Sequence, residues 1–138
     1  MDTTLNAYLN FNGSAGEAMK FYHSILGGQL NVQTFGEAKM ARSPSEENLV
    51  VHARLNSGAM TLMASDAAAG MKTQFGNNVH LSLMGGDSER LTTIFNALAK
   101  EGKVDMPLAK QFWGDTYGQL TDRFGVHWMV NIAANPPT

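Results

Sequence analysis

The chain repeats one order of predicted elements: a strand, a helix and three further strands. Alternation of apolar and polar residues predicts the strands of the first copy at 5–11, 29–35, 49–55 and 59–65. The same pattern predicts strands of the second copy at 79–84, 104–113, 117–122 and 126–132. The two predicted helix starts, Ser14 and Asp87, are 73 residues apart. Because each copy alone would leave one face of its sheet uncovered, we expect the two modules to pack around a shared cleft.

Both predicted helices carry an apolar stripe that should lie on a sheet. In the first helix, Ser14 and Glu17 form a capping-box pattern that places its start at residue 14. Its stripe has helical spacing and consists of Ala15, Ala18, Met19, Tyr22, Ile25 and Leu26. In the second helix, Asp87 begins the segment and the stripe consists of Leu91, Ile94, Phe95 and Leu98. We therefore expect helices near 14–26 and 87–100.

Length and composition indicate one domain, 1–138, with module one at about 4–66 and module two at about 78–133. The 138 residues include no cysteine, which excludes disulfides and thiol catalysis. The net charge of −2 and the absence of a basic run argue against nucleic-acid binding. No segment has the length of a membrane span, and the N-terminus does not have the pattern of a signal peptide. We expect a cytoplasmic protein without a nucleic-acid or membrane partner.

The segment QFWGDTYGQLTDRFGVHWMVN (111–131) contains both tryptophans. Within it, TDRFG is typical of a hairpin turn in which Asp122 bonds the backbone and Gly125 has a positive φ. Alternation in the strand that follows places Trp128 in the core and His127 on the opposite face. Trp113, at a strand end, is a candidate for the rim of a pocket.

Several segments together resemble a known family: YLNFNGSAGEAMKFY (8–22), FGE (35–37), ASDA (64–67) and MPLAKQFWGDTYGQLTDRFGVHWMVN (106–131). They resemble the PhnB-like branch of the vicinal oxygen chelate superfamily, the glyoxalase, bleomycin-resistance and extradiol dioxygenase group. The resemblance covers nearly the whole chain. It implies an α+β fold of two βαβββ modules, with a curved mixed sheet around a cleft and helices on the convex face. It also implies a homodimer.

Members of this branch are often described by analogy to a ubiquinone-pathway methyltransferase. The chain has no glycine-rich turn between a strand and a helix of the kind that cradles S-adenosylmethionine. The methyltransferase interpretation is therefore rejected, and no cofactor is expected.

Metal-dependent members of the superfamily carry ligands at four strand positions. Those positions correspond here to Ala7, Leu62, His80 and Met129. Because transition-metal sites in proteins need three or more ligands, one imidazole is not enough, and we expect no metal.

The expected ligand pocket is apolar and rich in methionine. Its predicted residues are Leu9, Phe11, Met60, Leu62, His80, Ser82, Met84, Trp113, His127, Met129 and Asn131. His80 is the candidate acid/base or ligand-binding group, because Val79, Leu81 and Leu83 form the apolar face of its strand. A buried neutral histidine bonded to a neighbour is the structural alternative.

Three functions agree with these patterns. The first is a metal-free protein that binds a small apolar molecule. The second is a lyase or isomerase that uses His80 as an acid/base or metal ligand. The third is an interaction module without a ligand. The sequence does not name a ligand, and it leaves open whether the chain is an enzyme.

Overall fold

A computed structural model describes residues 2–68 and 70–134. The chain divides into two compact units, one ending at Gln74 and the other beginning at Phe75. The predicted modules, 4–66 and 78–133, fall inside these units, while the predicted domain 1–138 extends into residues outside the described ranges. That the two units form one domain stays a prediction.

The first unit is a mixed four-stranded sheet with one helix. Its elements are β1 (Ala7–Phe11), α1 (Ala15–Leu26), β2 (Gln29–Thr34), β3 (Val50–Ser57) and β4 (Met60–Asp66). The strand order is β1-β4-β3-β2, and only the β1–β4 pair is parallel.

The second unit has the same arrangement. Its elements are β5 (Leu81–Gly85), α2 (Ser88–Ala99), β6 (Lys103–Lys110), β7 (Thr116–Thr121) and β8 (His127–Ile132). The strand order is β5-β8-β7-β6, with β5 parallel to β8. The predicted α+β class, with two helices and eight strands in two mixed sheets, is confirmed.

The core of the first unit lies between α1 and its sheet. Five of the six residues in the predicted stripe are buried, and Ile25 is half-buried instead. Small side chains meet across this interface, because Ala15 and Ala18 on the helix and Ala53 and Ala64 on the sheet are all fully buried. Their size lets the helix approach the sheet closely.

The start of α1 is stabilised by a residue distant in sequence. The Ser14 side chain makes no capping hydrogen bond within the described part of the chain, so the predicted capping box is wrong. Instead, Oδ1 of Asp66 at the end of β4 accepts from the backbone N–H groups of Gly13 and Ala15, each at 2.9 Å. Its Oδ2 accepts from Val50 N at 2.9 Å. The buried Asp66 carboxylate therefore joins the helix start to two strands.

The start of α2 is capped locally, as predicted. The Asp87 side chain accepts from Arg90 N at 3.0 Å. The stripe Leu91, Ile94, Phe95 and Leu98 is buried.

The turn before β8 also has the predicted chemistry. Asp122 Oδ1 accepts from the backbone N–H groups of Phe124 and Val126, and Gly125 has φ +90°. Its Oδ2 accepts from the indole N–H of Trp128 at 2.8 Å. Trp128 is 1% exposed, so this tryptophan and its aspartate belong to the core.

Pro107 lies on an edge strand, β6, beside two register irregularities, where the loss of its N–H group is tolerated.

One local prediction is corrected: the strand β5 begins at Leu81, and Val79 before it is exposed. The loop 43–48 contains a short 3-10 helix, Pro44–Glu46, with a fully buried Glu46 whose Oε1 accepts from Arg42 N. In the described ranges, every helix is too short and too polar to span a bilayer.

Candidate functional site

Each sheet has one face packed on its helix and one opposite face, called here the helix-free face. Along β1, Tyr8 and Asn10 are exposed and alternate with Ala7, Leu9 and the fully buried Phe11. Leu9 and Phe11, predicted to line a pocket, therefore lie on the helix side.

The same correction applies to β4. Leu62 is buried opposite Leu55, and Met60 pairs with Ser57, whose hydroxyl donates to the α1 carbonyl of Leu26. Met60 and Leu62 thus also lie on the helix side. The predicted orientation of β1 and β4, with these residues towards a pocket, is wrong. An error of one residue is enough, because it exchanges the two faces of a strand.

The helix-free face of the second sheet brings the other predicted residues together. Residues that point away from α2 alternate with the buried Trp128, Val130 and Ile132 along β8. The paired strands β5 and β8 bring together Ser82, Met84, His127, Met129 and Asn131. His80, which precedes β5, joins this surface because its ring lies 5.4 Å from that of His127.

His80 differs from the other three histidines in its hydrogen bonding. His23 contacts the Gly28 carbonyl, His52 contacts Tyr8, and His127 has two partners. His80 is half-buried and forms no hydrogen bond with any residue described in the structure. Its ring nitrogens are therefore free to bind a ligand, whereas the structural alternative requires a bond to a neighbour.

His127 holds its position through both ring nitrogens. The Thr121 hydroxyl donates to Asp105 Oδ2 at 2.7 Å, so it can only accept from Nδ1 of His127, 2.9 Å away. The Gly76 carbonyl, 3.1 Å from Nε2, can also only accept. We therefore assign His127 a positioning role next to His80.

β7 contributes polar groups to this face that were not predicted as site residues. Gln119 Nε2 donates to the Tyr117 hydroxyl at 2.9 Å, and that hydroxyl donates to the Met129 sulfur at 3.4 Å. The alternation of TYGQLT around the buried Gly118 and Leu120 was the available signal.

Trp113 lies in the β6–β7 loop, 49% exposed, and its ring meets that of Tyr117 edge-on at 6.1 Å. It borders the helix-free face at the end where Tyr117 lies.

Asp115 orders the same end of the sheet. Its Oδ2 accepts from the Asn131 amide at 2.9 Å, and its Oδ1 accepts from Ala134 N at 3.0 Å. The Asn131 hydrogen bond first, and the Ala134 bond second, lower the pKa of Asp115 below its usual value. Asn131 is therefore held by a carboxylate that is ionised at neutral pH.

Two of the four positions compared with superfamily metal ligands lie in each unit. Ala7 pairs with Leu62 in the first unit; in the second, Met129 pairs with Ser82, and the His80 ring lies 5.4 Å from that of His127. Among the described residues, no group of three or more His, Asp or Glu side chains could hold a metal ion. These residues do not fit a transition-metal site.

A family model described as 3-demethylubiquinone-9 3-methyltransferase matches residues 3–131. Protein YjdN of Escherichia coli is 31% identical, over 97% of this chain and 98% of its own length. The crystal structure of protein PA1353 from Pseudomonas aeruginosa is 38% identical, with TM-score 0.84 over 95% of this chain and 98% of that one.

A Bacillus cereus structure described as a PhnB protein is 28% identical, with TM-score 0.79 over 95% of this chain and 100% of its own. A Burkholderia phytofirmans enzyme of the glyoxalase/bleomycin resistance/dioxygenase family shares the fold alone, at 16% identity and TM-score 0.62. The expected glyoxalase-like fold is thereby confirmed.

Proposed function

Since the chain belongs to the PhnB-like family described as 3-demethylubiquinone-9 3-methyltransferase, we propose that it binds a small, largely apolar molecule without a metal ion. The ligand lies on the helix-free face of the second sheet. His80 is its main polar anchor and bonds one oxygen or nitrogen function of the ligand.

The observation that carries this proposal is the hydrogen bonding of His80. Neither ring nitrogen of the half-buried His80 side chain has a hydrogen-bond partner among the described residues, and neither is sealed off from solvent. A ligand atom would supply that partner. The neighbouring His127 is committed to Thr121 and Gly76, so it keeps the surface in place while His80 binds.

The apolar part of the ligand is assigned to the methionines of the same face. Met84 is 73% exposed on this face, so its side chain is open to contact with a ligand. Met129 lies on the adjacent strand, with its sulfur bonded by Tyr117. Flexible thioethers adapt to apolar surfaces of varied shape, which suits a binding protein.

Methyl transfer is not proposed, although the family description names it. Helix starts that follow glycine-rich turns hold ligands through free backbone N–H groups. At α1 these groups are bonded by the Asp66 carboxylate, and at α2 the Asp87 carboxylate bonds Arg90 N. A carboxylate of the chain itself therefore already lies at each helix start.

A second candidate is a lyase or isomerase in which His80 moves a proton. The contact of His80 with His127, which connects through Thr121 to Asp105, favours it. An acid/base role would give a turnover rate that depends on His80 and on pH, whereas a binding protein would show saturable binding without product.

We also propose that the protein is a cytoplasmic homodimer. The support is the family resemblance, the absence of cysteine, and exposed apolar side chains on the edge strand β6, Val104 and Met106. Light scattering on the purified protein measures the assembly.

The His80 proposal is tested in two steps. Protein purified without chelator is first analysed for metals, and we expect no stoichiometric transition metal. A thermal-shift screen then supplies a ligand, whose affinity is measured for the wild type and His80→Ala. We expect the substitution to weaken binding by about 1–3 kcal/mol, roughly 5- to 150-fold, because one buried hydrogen bond is lost.

The matched control is His23→Ala, which removes a histidine on α1 in the other unit and should leave the affinity unchanged. A metal coordinated by His80 that survives dialysis would overturn the metal-free proposal. Unchanged affinity in His80→Ala, together with a lower melting temperature, would show that His80 is structural.

A further inference from the structure

The helix-free face of the first sheet differs in chemistry from that of the second. Its strands place amides, hydroxyls, Tyr8, His52, Arg54 and Met63 on this side. Such a face offers hydrogen bonds rather than apolar area. It therefore suits a polar ligand.

Arg54 is the only charged side chain on this face. The other charged residue in the four strands is Asp66, which is buried on the helix side. Arg54 is exposed, and it forms no ion pair with any residue in the described ranges. Its Nε donates to Asn56 Oδ1 at 3.3 Å, a contact that limits the movement of the guanidinium group. The other N–H groups of the Arg54 guanidinium are open to a partner from outside the unit, and their positive charge favours an anion.

Tyr8 and His52 form a hydrogen-bonded pair on the same face. The Tyr8 hydroxyl lies 3.1 Å from His52 Nδ1, and the two rings are 5.8 Å apart at 33°. Depending on the tautomer, the pair presents a donor or an acceptor to a third group. It can therefore bond a hydroxyl in either direction.

The register sets the distance between these two features. Tyr8 pairs with Met63, and Met63 pairs with Arg54, so the three residues form one row across three strands. The Tyr8 hydroxyl reaches His52, which lies on β3 two residues from Arg54, so the Tyr8–His52 pair and the guanidinium start from backbone positions roughly 7 Å apart. That spacing accommodates a small molecule with one charged end.

We propose that this row binds a small organic carboxylate. The Arg54 guanidinium holds the carboxylate, because its planar fork of N–H donors matches two carboxylate oxygens. Met63 contacts the apolar body, and the Tyr8–His52 pair bonds a hydroxyl at the far end. All four of these residues belong to the first unit, and none is part of the ligand surface proposed around His80.

The test uses three probes that differ in one group each: phenylacetate, phenylacetamide and 4-hydroxyphenylacetate. Each is titrated into ¹⁵N-labelled protein, and the shifts of the Arg54 Nε–H and of the Tyr8 and Met63 amides are followed. We expect phenylacetate to bind about tenfold more tightly than the uncharged amide, since only the acid pairs with Arg54. The hydroxylated acid should bind severalfold more tightly again.

Arg54→Gln should abolish the preference for acid over amide, and Tyr8→Phe should remove the gain from the hydroxyl. Arg90→Gln, which removes an exposed arginine in the second unit, and His80→Ala should change neither ratio. Equal binding of acid and amide, or a preference that persists in Arg54→Gln, would overturn the proposal. A hydroxyl gain that survives Tyr8→Phe would overturn the role of the Tyr8–His52 pair.

Discussion

The two units have the same order of strands and helix, but they secure the helix start in different ways. In the first unit, Asp66 reaches α1 from the far end of the module and also bonds β3. In the second unit, Asp87 caps α2 from the adjacent position. The same structural requirement, to satisfy free N–H groups at a helix start, is thus met once by a tertiary contact and once by a local one.

The helix-free faces differ as well. The second carries His80 next to His127, together with a hydrogen-bonded chain of Gln119, Tyr117 and Met129, whereas the first carries Arg54 among amides and hydroxyls. One fold repeated within a chain can therefore present two surfaces with different ligand preferences. Function follows the residues of each face and not the shared topology.

The difference in capping predicts the largest effect on stability. Asp66→Ala would leave the N–H groups of Gly13, Ala15 and Val50 without their acceptor, two of them in buried bonds. We expect a loss of roughly 3–5 kcal/mol, since each buried donor left unsatisfied costs about 1–3 kcal/mol. Urea unfolding followed by circular dichroism measures it. Asp66→Asn keeps the shape and one acceptor oxygen, so its loss should be smaller.

Asp87→Ala removes the local cap and should cost only about 1 kcal/mol, the usual value for an exposed N-cap. Both tryptophans lie in the second unit, so their fluorescence follows the unit that this substitution affects. A loss as large as that of Asp66→Ala would contradict the distinction between tertiary and local capping.

The two units also differ in how well the sequence predicted them. In the second unit, the turn TDRFG and the alternation of β8 are local signals, and both Trp128 and Asp122 take their predicted places. In β1, the run AYLNF has apolar residues on one face and an amphipathic tyrosine on the other. The pattern therefore did not decide which face of the strand lies against the helix. The capping role of Asp66 depends on a carboxylate 51 residues from Ala15, and no local pattern identifies such a contact.

The site was predicted in the same uneven way. Alternation grouped Ser82 and Met84 with Met129 and Asn131 correctly, because β5 and β8 are regular strands. It did not identify the Gly76 partner of His127, nor Asp105, which accepts from the Thr121 hydroxyl that bonds His127; these residues lie in a loop and on a bulged edge strand, where strand periodicity fails.

The smallest expected effect concerns Asp115 in the second unit. Hydrogen bonds from Asn131, and then Ala134, hold the pKa of Asp115 below its usual 3.8. A lowered folded-state pKa means that the ionised carboxylate stabilises the fold above the unfolded pKa, and that this contribution is lost as the pH falls through the folded pKa. Asn131→Ala should raise the pKa of Asp115 towards 3.8 and reduce stability slightly at neutral pH, while leaving it unchanged once the carboxyl is protonated.

An NMR titration of the Asp115 carboxyl measures this shift, and unfolding at neutral and acidic pH measures its effect on stability. Asn96→Ala on the exposed side of α2 is the control for loss of an asparagine, and it should leave the Asp115 titration unchanged. Because this carboxylate lies at the surface, solvent screens its interactions, and the stability difference should be far smaller than for the buried Asp66. An unchanged pKa of Asp115 in Asn131→Ala would show that the Asn131 hydrogen bond does not order this end of the second helix-free face.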